Sequence, residues 1–155
     1  MKPIDTRCEM TWIVMPSQAN ALGTAFGGQV LSWMDICAAV SAKRFCRRSV
    51  VTAGIDSVAF KAPARQGDVV VIEAMVNWAG RTSMEVGCRV LSEDLRTGQR
   101  RRVATAYLTF VALDDSGSPV TVPTLEPESD AERRRSREAA KRRAARLRLR
   151  EELER

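Results

Sequence analysis

A glycine pair and a lone aspartate in one apolar stretch are the residues of this sequence best suited to chemistry. Gly27-Gly28 opens the stretch, Asp35 follows with apolar neighbours on both sides, and Asn20 precedes the pair. A carboxylate is costly to bury in apolar surroundings unless another group compensates it. Glycines at a helix start leave backbone N–H groups bare and let a ligand approach the main chain. Together these groups could polarise a carbonyl and activate a nucleophile.

The absence of histidine narrows the possible chemistry further. None of the 155 residues is histidine, so Ser-His-Asp and Cys-His catalysis and His-ligated metal sites are excluded within this chain. Proton transfer near neutral pH then falls to a carboxylate, a lysine, a cysteine, a tyrosine or bound water. Asp35 is therefore the leading candidate.

Length and composition predict one compact domain with a tail, in the cytoplasm. No apolar run has the length of a membrane span, and the first residues lack the apolar region of a signal peptide. The four cysteines, none in C-x-x-C spacing, predict reduced, mostly buried thiols more than a zinc or redox site.

The hydrophobic pattern predicts an α+β fold. Strands are expected at 8–15, 49–60, 69–78, 82–92 and 100–114, a loop at 19–26, and a helix at 29–44. The helix is apolar nearly all round, and hairpin-length loops join the later strands. We expect one twisted antiparallel sheet wrapped around one long helix. Because such a sheet leaves its edges open, a dimer joined through sheet edges should form.

The last 30 residues form a different kind of segment, so we divide the chain into a domain at 1–125 and a tail at 126–155. The tail reads as an Arg-rich helix that starts at the capping box Ser129-Asp-Ala-Glu132. Its arginines could attract the phosphates of a small ligand, nucleic acid or an anionic membrane surface. The lack of interleaved aromatic residues favours a solvated helix that aids solubility or assembly, and no nucleic-acid partner is expected.

The pattern from Asn20-x-x-Gly23-x-x-x-Gly27-Gly28 to Met34-Asp35 resembles the acyl-CoA thioesterases of the hotdog superfamily, most closely the YciA-like and brain-type acyl-CoA hydrolase branch. Further matches lie at Val58-Ala-Phe60-Lys-Ala-Pro63 with Gly67-Asp68, at Gly80-Arg81-Thr82-Ser83, and from Ala106 to Gly117. The resemblance covers about Thr6 to Pro123, and the tail from about Glu126 has no counterpart in it.

The resemblance implies a hotdog fold and hydrolysis of acyl-CoA to a free fatty acid and CoA. It implies homodimers that assemble into a homohexamer, a trimer of dimers, with no metal and no cofactor. Asp35 matches the catalytic carboxylate, as general base or nucleophile, and Asn20 matches a second polar catalytic position. Gly27 and Gly28 match the glycines whose N–H groups face the thioester carbonyl. The residues that match a region near the CoA arm are Arg81, Thr82 and Ser83.

Simpler interpretations of the same residues stay open. Asp35 could be a structural carboxylate, Asn20 could shape a turn, and the glycine pair could serve close packing. Thr82 and Ser83 could be plain strand residues. The non-enzymatic alternative is an acyl-CoA-binding or basic-tail interaction module on the same scaffold.

The spacing of the candidate residues also bears on how a site would be built. Gly28 and Asp35 are two helical turns apart, which is about 10 Å along the axis. One chain would therefore not present both to the same carbonyl, and we expect the two groups to converge from opposite protomers of a dimer.

Overall fold

In a computed structural model that describes residues 1–155, the chain forms five strands and two long helices. Their bounds are β1 (Cys8–Ile13), α1 (Gly27–Cys46), β2 (Ser49–Phe60), β3 (Val69–Ala79), β4 (Ser83–Glu93), β5 (Arg100–Leu113) and α2 (Asp130–Leu153). The predicted α+β order is confirmed, and only element ends differ. The first strand stops two residues early because Pro16 starts a short 3-10 turn, in which the Gln18 side chain accepts the Met15 N–H.

All five strands belong to one antiparallel sheet in the order β1-β3-β4-β5-β2. Helix α1 packs against one side, here called the inner face, and buries Trp33, Met34, Cys37 and Phe45 in a single core. The helix is therefore wrapped by the sheet, as its apolar composition predicted. Strands β1 and β2 are the two edges, so β2 is open along one side.

The ends of α1 fix where the glycine pair lies. The helix begins at Gly27, two residues before the predicted start, so both glycines belong to its first turn. The preceding residue, Phe26, has no side chain that can cap the helix. At the other end Arg47 adopts the left-handed conformation with φ 55°, and Lys43 and Arg44 in the last turn suit the negative end of the helix dipole.

A bulge in β2 changes which face its side chains reach. The pairing with β5 shifts by one residue between Thr52 and Gly54. Thr52 pairs with Phe110 of the core, whereas Asp56 pairs with Tyr107 on the opposite side, here called the outer face. In a regular strand two residues four positions apart share a face, so the bulge is what separates them.

Helix α2 covers part of the outer face, which differs from the solvated helix that the sequence favoured. Glu85 points away from the core on β4, yet it is only 1% exposed. Arg142 of α2 makes two hydrogen bonds to its carboxylate, at 3.1 Å from Nε and 2.7 Å from Nη2. The same guanidinium lies 3.6 Å from the centroid of the Tyr107 ring. This helix has few apolar residues, so the aliphatic parts and the flat guanidinium groups of its arginines pack against the sheet in their place.

Two further arginines tie α2 to the sheet. Arg146 pairs with Asp56 at 2.9 Å, and Arg143 lies over the Trp78 ring at 5.3 Å. Burial works against the charge of Arg142, but the hydrogen bonds and charge of Glu85 outweigh it and raise the pKa of Arg142 above its usual value.

The division of the chain into a domain and a tail at residue 125 stays a prediction. Neither helix combines the length and the apolar composition that a membrane span requires.

The buried pair predicts a test of how α2 is held. Arg142→Ala leaves the carboxylate of Glu85 without its main partner, so the free energy of unfolding should fall by about 3 kcal/mol. Urea denaturation followed by circular dichroism measures the loss. The matched control is Arg148→Ala, because Arg148 is an exposed α2 arginine with no ion pair. Equal losses in the two variants would contradict the role given to the Arg142–Glu85 pair.

Candidate active site

Asp35 is half-buried on α1 and is held from the neighbouring strand. Its Oδ1 accepts a hydrogen bond from Thr52 Oγ1 at 2.7 Å, and Oδ2 makes no hydrogen bond within the chain. Met34 and Cys37 beside it face the core, while Ile36 is 51% exposed. Asp35 thus lies at the border between core and surface, less enclosed than its apolar neighbours in the sequence suggested. One carboxylate oxygen is fixed, and the other is free to act on a ligand.

Thr52 is the site residue that sequence reasoning missed. A threonine in a strand is an ordinary β-former and carries no signal of its own. Its position opposite Asp35 follows from how β2 and α1 pack together, and a single sequence does not show that register.

Asn20 shapes a turn, as the simpler interpretation held. Its side-chain oxygen accepts hydrogen bonds from the Leu22 N–H at 3.0 Å and from the N–H and the hydroxyl of Thr24, each at 3.2 Å. This turn directly precedes the first turn of α1. The side-chain amide nitrogen makes no hydrogen bond within the chain, so Asn20 keeps one donor group for a ligand.

The glycine pair leaves bare donors at the start of α1. The N–H groups of Gly27 and Gly28 have no acceptor in the chain, because the first N–H groups of a helix lack partners and Phe26 offers no cap. A Cβ on Gly28 would meet no heavy atom within 4 Å, and one on Gly27 would meet Phe60 at an ordinary 3.5 Å. Close packing inside one chain therefore does not explain the pair. The positive end of the helix dipole adds to the attraction for a negative oxygen.

Arg81, Thr82 and Ser83 lie apart from Asp35 in a single chain. They form the turn from β3 into β4, where the carbonyls of Arg81 and Thr82 accept the N–H groups of Val122 and Ala112. Ser83 pairs with Val111, one step from the row in which Met84, Phe110 and Thr52 stand side by side. Two strand spacings, about 10 Å, separate it from β2. Their proposed role near the CoA arm stays a prediction.

The Asp35–Thr52 pair lies beside exposed apolar residues and the open edge of β2. Next to this pair Ile36 and Ile55 are 51% and 37% exposed, and Val51, on the outer face of the same open edge strand, is 47% exposed. An exposed apolar patch beside an unpaired strand edge is a surface for a further chain.

The cysteines and acids form no metal cluster. No three side chains of Cys, Asp or Glu lie together in a group that could hold a metal ion. All four cysteines are free and buried, as predicted. Burial raises the pKa of the Cys88 thiol to about 12, and it also raises the pKa of Cys37.

A sheet wrapped around one central helix defines a hotdog-fold protein. The sequence profile of the thioesterase superfamily matches residues 22–99. The uncharacterized acyl-CoA thioester hydrolase YkhA of Bacillus subtilis is 49% identical over 119 residues, which is 77% of this chain and 69% of that one. The chain belongs to the thioesterase superfamily, which confirms the predicted fold and family.

Two solved structures extend the similarity. An acyl-CoA hydrolase from Staphylococcus aureus, solved with butyryl-CoA, CoA and CoA disulfide, has a TM-score of 0.89 and 35% identity. The similarity covers 99% of this chain and 96% of that one. A hexameric acyl-CoA thioesterase has a TM-score of 0.92 and 42% identity, with 96% of each chain covered. The Staphylococcus aureus enzyme has also been solved with alanine in place of one aspartate, one asparagine or one threonine.

These similarities correct one expectation. The tail from about Glu126 was expected to have no counterpart in the family. The similarity to the Staphylococcus aureus hydrolase covers 99% of this chain, so it includes α2. The sequence did not indicate this counterpart, because α2 contacts the sheet through arginines, and an exposed helix can carry arginines in the same way.

Buried cysteines predict a low background in thiol assays. In the native protein at pH 8, a thiol-reactive dye should label none of the four cysteines within minutes, because the thiols are shielded and the pKa of Cys88 lies near 12. After unfolding in urea all four should react at once. A fast-labelled thiol in the native protein would contradict this burial.

Proposed function

We propose that this chain hydrolyses acyl-CoA thioesters, with Asp35 as the catalytic carboxylate and Thr52 as the residue that positions it. The observation that carries the proposal is the 2.7 Å hydrogen bond from Thr52 to Asp35, which fixes one carboxylate oxygen and leaves the other free. In the Staphylococcus aureus hydrolase the asparagine, aspartate and threonine chosen for replacement have the same spacing as Asn20, Asp35 and Thr52 here. That match supports a shared role for the three residues.

The carbonyl of the thioester requires donors as well as a nucleophile. The N–H groups of Gly27 and Gly28 have no partner, and the open space above Gly28 leaves room for a substrate. In the proposed reaction these donors bind the carbonyl oxygen and stabilise the negative charge that develops on it. The unused amide of Asn20 would orient the attacking water or the thioester.

Asp35 then acts in one of two ways. As a general base it takes a proton from water while the hydroxide oxygen bonds to the carbonyl carbon, the C–S bond breaks, and CoA leaves as the thiolate. As a nucleophile its free oxygen bonds to the carbonyl carbon, the C–S bond breaks and CoA leaves as the thiolate, and water then opens the resulting anhydride. Either route yields a carboxylic acid and CoA with no redox change, and Thr52 holds the carboxylate in position in both.

The half-site geometry supports a dimer. Asp35 is two turns away from the glycine N–H groups, so within one chain the two do not converge on the same carbonyl. A second copy packed along β2 would cover Ile36, Val51 and Ile55 and bring its own glycine pair to Asp35. By analogy with the hexameric relative, we expect such dimers to assemble into a trimer of dimers. The role of Arg81, Thr82 and Ser83 near the CoA arm belongs to the same proposal.

Substitutions of Asp35 and Thr52 test the catalytic roles. Asp35→Asn should lower kcat by about a thousandfold, because it removes the basic oxygen. Thr52→Val should lower kcat by roughly 10- to 100-fold, since it removes one hydrogen bond to a charged group. The matched control is Thr52→Ser, which keeps the hydroxyl and should restore most of the activity. The measurement is thiol release from acyl-CoAs of increasing chain length.

Two results would change the conclusion. If Asp35→Asn folds normally and turns over at the wild-type rate, Asp35 is a structural carboxylate. If the wild type binds acyl-CoA but releases no thiol from any chain length, the protein is an acyl-CoA-binding module and not a hydrolase.

A mixed assembly tests whether the site is shared. Gly28→Ala should fold, because its added methyl group meets open space, and should block the carbonyl site. Chains carrying Asp35→Asn and chains carrying Gly28→Ala, each inactive alone, are co-expressed with different tags and purified through both. In a shared site one of the two sites of a mixed dimer is intact, so about half of the wild-type activity returns. Activity at the level of the parents would show that both groups act from one chain.

A further inference from the structure

The outer face and α2 enclose a cavity that the proposed hydrolysis does not use. It has a volume of about 420 Å³, with a floor from β3, β4 and β5 and a wall from α2. We call it the α2 cavity. Its volume lies in the range of sites that hold small ligands. Asp35 lies on α1, on the other side of the sheet, so the α2 cavity is separate from the candidate active site of the same chain.

The lining of the α2 cavity is strongly basic. Six arginines line it, namely Arg7, Arg89, Arg102, Arg134, Arg135 and Arg142, against the two carboxylates Glu73 and Glu138. Arg7 and Arg89 share Glu73, and Arg142 is committed to Glu85. Arg102 and Arg135 have no ion pair in the chain. The cavity therefore carries uncompensated positive charge from two different elements, β5 and α2.

An unpartnered amide points to a ligand independently of the charge. Asn77 lines the cavity, is only 5% exposed, and makes no side-chain hydrogen bond in the chain. It stands at a bulge in β3, where the pairing with β4 shifts between Val76 and Trp78. Bulges of this kind re-aim a side chain. The polar atoms of this amide stay in contact with the cavity space, so a ligand in the cavity can supply the hydrogen bonds that the chain does not.

The neighbouring strand makes room for this amide. A Cβ on Gly87 would come within 2.5 Å of Asn77 Nδ2, so only glycine at that position lets the side chain lie where it does. Thr105 and Tyr107 of β5 add two hydroxyl groups to the same lining. Donors thus converge from three strands and one helix on a single space.

We propose that the α2 cavity binds a small diphosphate-type anion, held by Arg102 and Arg135 and hydrogen-bonded by Asn77. Guanidinium groups present paired donors that match phosphate oxygens, which makes arginine the side chain suited to such an anion. Bound there, the anion would bridge β5 and α2 and tighten the attachment of the C-terminal helix. Either inorganic pyrophosphate or a nucleoside diphosphate has this chemistry.

Isothermal titration calorimetry of the full chain with pyrophosphate and with ADP, at 0.15 M salt, tests the proposal. Both probes should bind the wild type, and the double variant Arg102→Gln/Arg135→Gln should weaken binding by roughly tenfold or more for each lost contact. The control is Arg137→Gln/Arg148→Gln, which removes the same charge from exposed α2 positions outside the cavity and should leave the affinity unchanged. Tighter binding of ADP than of pyrophosphate would identify an organic diphosphate as the ligand, and equal binding an inorganic one.

A third variant tests the amide. Asn77→Ala should keep the melting temperature, because no hydrogen bond is lost in the free protein, and should still weaken binding of the anion. The proposal is overturned if neither anion binds at millimolar concentration, or if the Arg102/Arg135 double variant binds as tightly as the wild type. Hydrolysis of acyl-CoA by the double variant should stay at the wild-type level, so failure here is distinguishable from failure of the proposed function.

Discussion

The fold depends on burying α1, a helix that is apolar on nearly every side. Met34, Cys37 and Ala38 are fully enclosed, and the sheet that encloses them approaches the helix from one direction only. The opposite side of the helix, with Ile36, remains without cover. Asp35 lies at the boundary between these two sides, where a charge keeps access to solvent and a strand residue still reaches it. The half-buried position of Asp35 thus follows from the sheet covering only one side of α1.

The two faces of the sheet are covered by different means. On the inner face α1 packs by apolar burial in one continuous core. On the outer face α2 buries almost no apolar side chain, and Ala139 is its one fully enclosed residue. Its contacts are the ion pairs of Arg142 and Arg146 and the stacking of arginine planes on aromatic rings. A buried ion pair adds little net stability compared with apolar packing, but removing one partner is strongly destabilising. The outer face is therefore ordered by charge, and an anion that enters the α2 cavity would act on those same contacts.

Much of this architecture could be predicted from the sequence, because it rests on local patterns. The hydrophobic pattern, the apolar run of α1 and the hairpin-length loops predicted the elements to within about two residues, and the spacing of the glycines and the aspartate indicated the family. Long-range pairing was not accessible. Thr52 meets Asp35 only through the packing of β2 on α1. Glu85 and Arg142 are 57 positions apart, so an arginine-rich tail gave no sign of where it docks. Asn77 lines the α2 cavity because β3 has a bulge at that position, and the strand propensities of the residues there do not predict a bulge.

The bulge in β2 makes the length of that strand matter more than most of its side chains. Thr52 holds Asp35 on one face, while Asp56 meets Arg146 on the other. A single residue inserted between them and paired regularly would turn the two residues to the same side, because one bulge would then offset a spacing of five positions. Either the candidate active site or the attachment of α2 would then lose its partner. Homologues should accordingly vary freely in residue type at Ala53 and Gly54 and rarely carry an extra residue there, so this short segment is a poor place for an inserted loop or tag.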